Sequence, residues 1–204
     1  MAGVFGNFKK QDVNAIIEKS IRESIAVKQA LLTDTDLLQN IEQAALLLIQ
    51  TCRQGGKVLF CVNGGSAADA QHIAAELSGR FYRDRPPLFA EALHVNSSYL
   101  TAVANDYGYE QVFARMVEAA GRPGDVLVAI STSGNSPSIL GAAEKARALE
   151  MRVIGLTGES GGKLAAVCDL LLNMPSTDTP RIQEAHILVG HILCAAVEAD
   201  LFGA

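Results

Sequence analysis

Apolar residues recur at helical spacing over residues 11–31 (Ile16, Ile17, Ile21, Ile25) and again over 35–54 (Leu37, Leu38, Ile41, Ala45, Leu48), which predicts two consecutive helices. Asp34 or Thr35 is placed to cap the second helix at its start, and Gly55-Gly56 to end it. The pattern then changes. Residues 57–62 form a short continuous apolar run, the signature of a strand buried on both faces, followed by the polar loop Asn63-Gly-Gly-Ser66 and a helix over 67–79. The alternation continues with a strand over 88–94, a helix over 109–120, a strand over 125–130 and a loop over 131–136. Pro137 then opens a helix over 137–149. A strand over 152–156, a loop over 157–162, a short strand over 169–173 and a last helix over 180–201 complete the series. Strands alternating with helices predict an α/β fold, a parallel sheet with right-handed crossovers. With no internal repeat or linker, residues 1–204 read as a single domain in which 1–54 form an N-terminal helical extension.

Composition narrows the function classes. A formal net charge of −5 does not favour nucleic acid as a partner. No run of about 18 apolar residues stands out as a membrane span, and Met1–Phe8 lacks the apolar core of a cleavable leader. The lack of a span predicts no membrane partner, and Cys52, Cys61, Cys168 and Cys194, not paired at metal-ligand or redox spacing, read as reduced, mostly buried thiols of a cytoplasmic protein.

In an open α/β sheet, ligands bind at the carboxyl ends of the strands. Two loops there are rich in small polar residues: Asn63-Gly64-Gly65-Ser66 and Ser131-Thr132-Ser133-Gly134-Asn135-Ser136. Each leads into a helix, so free backbone N–H groups and rotatable hydroxyls are available to an anion. Neither loop is a Walker or dinucleotide motif, which disfavours a nucleotide. Turn chemistry and helix capping alone would account for either loop taken singly. The density of hydroxyls after a buried strand favours phosphate.

His72 and Glu76 are four apart on one helix face, a spacing suited both to a surface pair and to two ligands of a divalent metal. Gln183 and His191 share a face of the last helix, among apolar neighbours where polar side chains need partners. His186 and His94 read as structural. Arg80 and Asp106 are candidate substrate contacts from loops, although each alone would equally be a solvated charge.

The run from Cys61 to Arg80, residues 104–108, residues 124–136, Leu156-Thr-Gly158 with Gly161-Gly162, and Arg181-Ile-Gln-Glu-Ala-His186 through His191 resemble bacterial phosphoheptose isomerases of the sugar isomerase (SIS) domain superfamily, in order along nearly the whole chain. The resemblance implies a flavodoxin-like five-stranded parallel sheet and a homotetramer with sites at subunit interfaces. It implies interconversion of sedoheptulose 7-phosphate and D-glycero-D-manno-heptose 7-phosphate, the entry to lipopolysaccharide-core heptose. On this resemblance Glu76 is general base and His191 general acid, and His72, Glu76, Gln183 and His191 hold one zinc ion per subunit. Substrate contacts fall at Asn63, Gly64, Gly65, Ser66, Arg80, Asn105, Asp106, Ser131, Thr132, Ser133, Ser136 and Gln183. Three departures stand out: Val62 replaces a common glycine, Asn96 stands near a common aspartate, and Pro180 sits where some members carry an acid. The superfamily also holds non-catalytic replication-initiator-associating proteins and sugar-phosphate-binding regulators. Retention of both Glu76 and His191 favours the enzyme. The surplus of apolar positions on the terminal helices further suggests that Glu76 and His191 of one site come from different subunits.

Overall fold

The computed structural model describes residues 10–203. The expectation about Met1–Phe8 lies outside the described residues. The chain runs α1 (Lys10–Thr33), α2 (Thr35–Arg53), β1 (Val58–Val62), α3 (Ser66–Ser78), β2 (Ala90–Ala92), α4 (Ser97–Tyr107), a 3-10 turn (Tyr109–Gln111) and α5 (Val112–Ala120). It continues with β3 (Val126–Ile130), α6 (Pro137–Ala148), β4 (Arg152–Thr157), a second 3-10 turn (Gly162–Ala166), β5 (Leu170–Asn173) and α7 (Thr179–Phe202).

All five strands are parallel, in the order β2-β1-β3-β4-β5. That is the flavodoxin-like order, with its topological switch between β1 and β3. Every residue of β1 and β3 is buried, as a strand covered on both faces requires. The period of two divides them: Val58, Phe60 and Val62 join the core under α2, α3 and α7, while Leu59 and Cys61 join the core under α5 and α6. Asp34 caps α2 by accepting from the Leu37 N–H at 2.9 Å.

Several expectations are corrected. The strand over 88–94 shortens to Ala90–Ala92, and α4 was not foreseen. Of α4 only Val103 is buried, so its apolar period is faint, and its start is set by Asn96, whose Oδ1 accepts from the Tyr99 N–H at 3.0 Å. Asn96 is therefore a cap, which accounts for that departure locally. Asp106 and Asn105 lie on the last turn of α4 rather than in a loop. In α1, Ile16, Ile17, Ile21 and Ile25 are 49–56 % exposed, so its apolar face is not covered by its own chain. Finally, α7 is long and apolar enough to cross a membrane by length and composition, with a mean hydropathy of 1.5. Its glutamine and histidines escape a count of charges. The helix packs on α2 and α3 and buries Glu198, as a core helix does.

Candidate active site

The β1–α3 and β3–α6 loops meet at the switch point, where they line a cavity of about 230 Å³. Its walls are Asn63, Gly64, Gly65, Ser66, Ile130, Ser131, Thr132, Ser136, Thr179 and Gln183. Ser66 is the first residue of α3, Ser136 the N-cap of α6 and Thr179 the first residue of α7. Three helix N-termini thus border one cavity, each contributing free N–H groups and a positive dipole end. Among the described residues, none that lines it is charged. The arrangement suits an anion held by neutral donors. Gly134 makes the second loop possible: its φ is +66°, and a Cβ there would lie 2.1 Å from the Gly161 carbonyl oxygen. The Ser131 and Ser136 hydroxyls meet at 3.1 Å, and Gln183 donates to Ser66 Oγ at 3.1 Å.

Farther along the same two helices stands the second half of the site. His72 and Glu76 come six and ten residues after Ser66, about 9 and 15 Å along α3. His191 projects from α7, and its Nε2 lies 2.9 Å from His72 Nε2, while His72 Nε2 lies 3.4 Å from Glu76 Oε1. The approach depends on Gly190, where a Cβ would come within 2.6 Å of Ile73. Phe81 stacks on the His191 ring at 5.6 Å between centroids and 14° between planes. All of this occurs within one chain. Within the one chain described, α3 and α7 pack face to face and bring Glu76 and His191 to the same place in cis, the alternative to the expected sharing between subunits.

The two imidazoles face each other at hydrogen-bond distance, with Glu76 beside them; imidazole and carboxylate are both ligand types that a zinc ion takes. The complete set is not assembled, because Gln183 is engaged with Ser66, and no three His, Cys, Asp or Glu side chains among the described residues are gathered to hold a metal ion.

Other expected contacts lie elsewhere. Arg80 is exposed just beyond α3, Asn105 donates to Asp106 at 2.8 Å, and Ser133 bonds Asn135 within its own loop. None of the four lines the cavity. His186 is buried against the sheet and donates to the Thr157 carbonyl at 3.1 Å; burial pulls its pKa down to about 4, so it is neutral and structural. Burial raises the thiol of Cys61, and raises those of Cys194 and Cys52 to about 12 and about 11, which leaves them inert. Sequence reasoning missed Thr179 and Ile130 in the cavity wall. Asp178-Thr179-Pro180 carries a helix-start signal that would have placed Thr179 there.

Comparison with known proteins agrees with this geometry. The SIS domain family model matches residues 21–158. Phosphoheptose isomerase 2 of Campylobacter jejuni is 52 % identical over 95 % of this chain and 96 % of its own length. The phosphoheptose isomerase of Rhodospirillum rubrum is 59 % identical over 81 % and 88 %. The solved structure of the Neisseria gonorrhoeae phosphoheptose isomerase superposes with a TM-score of 0.86 at 46 % identity, covering 92 % of this chain and 99 % of that one. A matched family model and relatives of that identity, aligned almost end to end, mean that the chain belongs to the SIS domain family, among the phosphoheptose isomerases.

Proposed function

We propose that the chain interconverts sedoheptulose 7-phosphate and D-glycero-D-manno-heptose 7-phosphate by proton transfer between adjacent carbons. The observation that carries this reading is the placement of Glu76, His72 and His191 along α3 and α7, two of the three helices whose N-termini border the anion cavity. A phosphate held at the cavity leaves the other end of an extended sugar to reach α3 and α7. Ser66, Ser131, Thr132, Ser136 and the loop N–H groups hold the phosphate, fixing the reacting end in place.

From the ketose, Glu76 takes a proton from C1 while His191 gives one to the C2 carbonyl oxygen, forming the enediol. Return of a proton to C2 and loss of the O1 proton give the aldose, so no atom is gained or lost. In the reverse direction the same groups exchange their roles. A zinc ion is part of the proposal: His72, Glu76, Gln183 and His191 would hold it once their side chains turned toward one ion, and it would supply polarisation of the substrate oxygen. Stoichiometric divalent metal is expected in protein purified without chelator; full activity in metal-free protein overturns this part.

The exposed isoleucines of α1 support a homotetramer with sites bordered by subunit interfaces, for which light scattering should give the mass of four chains. The unpaired cysteines accord with a cytoplasmic enzyme supplying heptose for the lipopolysaccharide core. The decisive experiment is incubation with sedoheptulose 7-phosphate. Formation of the aldose phosphate is expected. Saturable binding without product would make the protein a sugar-phosphate-binding regulator instead.

A further inference from the structure

Between α3 and β2 the chain makes a turn that the acid–base chemistry above does not use, yet a fully satisfied buried ion pair, Arg85 with Glu198, ties it to α7. The side chains of Arg85 and Glu198 are 2 % and 3 % exposed. An ion pair taken from water is tolerated only when its remaining hydrogen-bonding positions are filled. Here they are filled by backbone. Glu198 accepts from the N–H groups of Phe81 (3.2 Å), Tyr82 (2.7 Å) and Arg83 (3.0 Å), and from Arg85 Nε (3.1 Å). Arg85 in turn donates to the carbonyls of Glu76 (2.8 Å) and Leu77 (2.8 Å), and more weakly to those of Gly79 and Pro86.

These partners are not arbitrary stretches of chain. The Glu76 and Leu77 carbonyls belong to the last turn of α3, which has no intrahelical donors for them. Arg85 therefore grips the backbone of the residue read above as the base. Glu198 follows His191 by seven residues, about two turns, and so shares its face of α7. By holding the 81–83 backbone, Glu198 also places the Phe81 ring flat on the His191 imidazole.

We propose that Arg85 and Glu198, acting through Phe81, are positioning residues for the acid–base pair. One end of the ion pair fixes the end of α3 that carries Glu76. The other fixes the ring plane of His191, whose Nε2 faces His72. The inference rests on the isomerase reading for its chemistry, but its geometry is testable without it.

The test uses Phe81→Leu, Phe81→Tyr and Glu198→Gln in the full-length protein, with steady-state kinetics on sedoheptulose 7-phosphate, thermal midpoints and proton NMR of the His191 ring. Phe81 is half-buried, so Phe81→Leu is expected to fold. Its kcat should fall about tenfold, since misplacement of a catalytic group has large effects, while KM and thermal midpoint hold. Phe81→Tyr, which keeps the ring, should retain wild-type kcat. Glu198→Gln should lower kcat in the same sense, and the His191 ring resonances should move in both Phe81→Leu and Glu198→Gln. If Glu198→Gln does not fold, Arg85→Lys takes its place: it keeps the charge and loses the forked grip on Glu76 and Leu77. Unchanged kcat in folded variants, or a fall only in step with lost folded protein, overturns the proposal. If the wild-type protein makes no aldose phosphate, the isomerase reading fails, and unchanged His191 resonances then overturn the positioning role independently.

Discussion

The anion cavity and the acid–base pair share two helices but are built on opposite principles. The cavity is distributed. Its donors are backbone N–H groups and neutral hydroxyls from three helix starts, and strand order brings them together before any side chain is chosen. The pair is concentrated. On the proposed reading Glu76 of α3 and His191 of α7 carry the proton chemistry, with His72 between them, and their placement depends on one glycine and one buried ion pair. A distributed site should lose function gradually as groups are removed, whereas a concentrated one should fail at a single atom.

The sharpest way to break that comparison is Glu76→Gln. The amide has nearly the shape of the carboxylate but cannot take a proton from carbon. Turnover is expected to fall on the order of a hundredfold or more, the usual contribution of a general base, while substrate affinity is retained. Residual turnover above about a tenth of wild type would mean that Glu76 is not the base, and the pair would no longer count as concentrated.

The cavity should respond differently. Replacing Ser131, Thr132 and Ser136 together by alanine removes three neutral donors at about 1 kcal/mol each, and no charge. KM should rise, by at most about a hundredfold, and kcat should change little. Each single replacement should have a fraction of that effect. A collapse of thermal stability with affinity unchanged would show that the hydroxyls serve the loop and not the ligand.

The third test concerns a histidine outside both halves. His186 lies on α7 between Gln183 and His191 but faces the sheet, and burial lowers its pKa to about 4. Because the unfolded chain binds this proton more tightly, stability is complete above about pH 6.5 and falls as the pH drops toward 4, by about 3 kcal/mol in all. His186→Gln, which preserves a donor to the Thr157 carbonyl, should flatten this part of the pH–stability curve without affecting turnover at neutral pH. An unchanged curve would assign the acid sensitivity to other groups.

How much of this was legible in the sequence follows the same division. Local pattern shows β1 and β3 with their loops, because buried parallel strands read as apolar runs and the loops as clusters of hydroxyls. His72 and Glu76 are legible as a helix-face pair. What brings His191 to them is not legible, since it depends on Gly190 meeting Ile73 across two helices far apart in the chain. Arg85 and Glu198, 113 residues apart, look like ordinary surface charges in sequence. The exposed isoleucines of α1 show the converse: an apolar period identifies a face that needs covering, and not what covers it. In α4 the period itself is nearly absent, and only the Asn96 cap marks the helix.

The smallest expected effect probes how the distributed half is held in shape. Tyr109, in the 3-10 turn after α4, donates its hydroxyl to Asn63 Oδ1 at 2.8 Å, and Asn63 Nδ2 donates to Ser138 Oγ at 2.9 Å. Both ends of the Asn63 amide are thereby committed, and its orientation at the cavity wall is fixed. Tyr109→Phe removes one hydrogen bond and keeps the ring, whose edge meets Phe113 at 6.4 Å between centroids. A single neutral bond at a half-exposed site is worth about 1 kcal/mol at most, so KM should rise no more than about fivefold, with kcat and thermal midpoint unchanged. A fall in kcat at constant KM would place Asn63 at the reacting end of the sugar, and the separation between an anion half and a proton-transfer half would have to be redrawn around it. A fall in thermal midpoint alone would make Tyr109 a structural tie, leaving Ser138 as the one contact that orients Asn63.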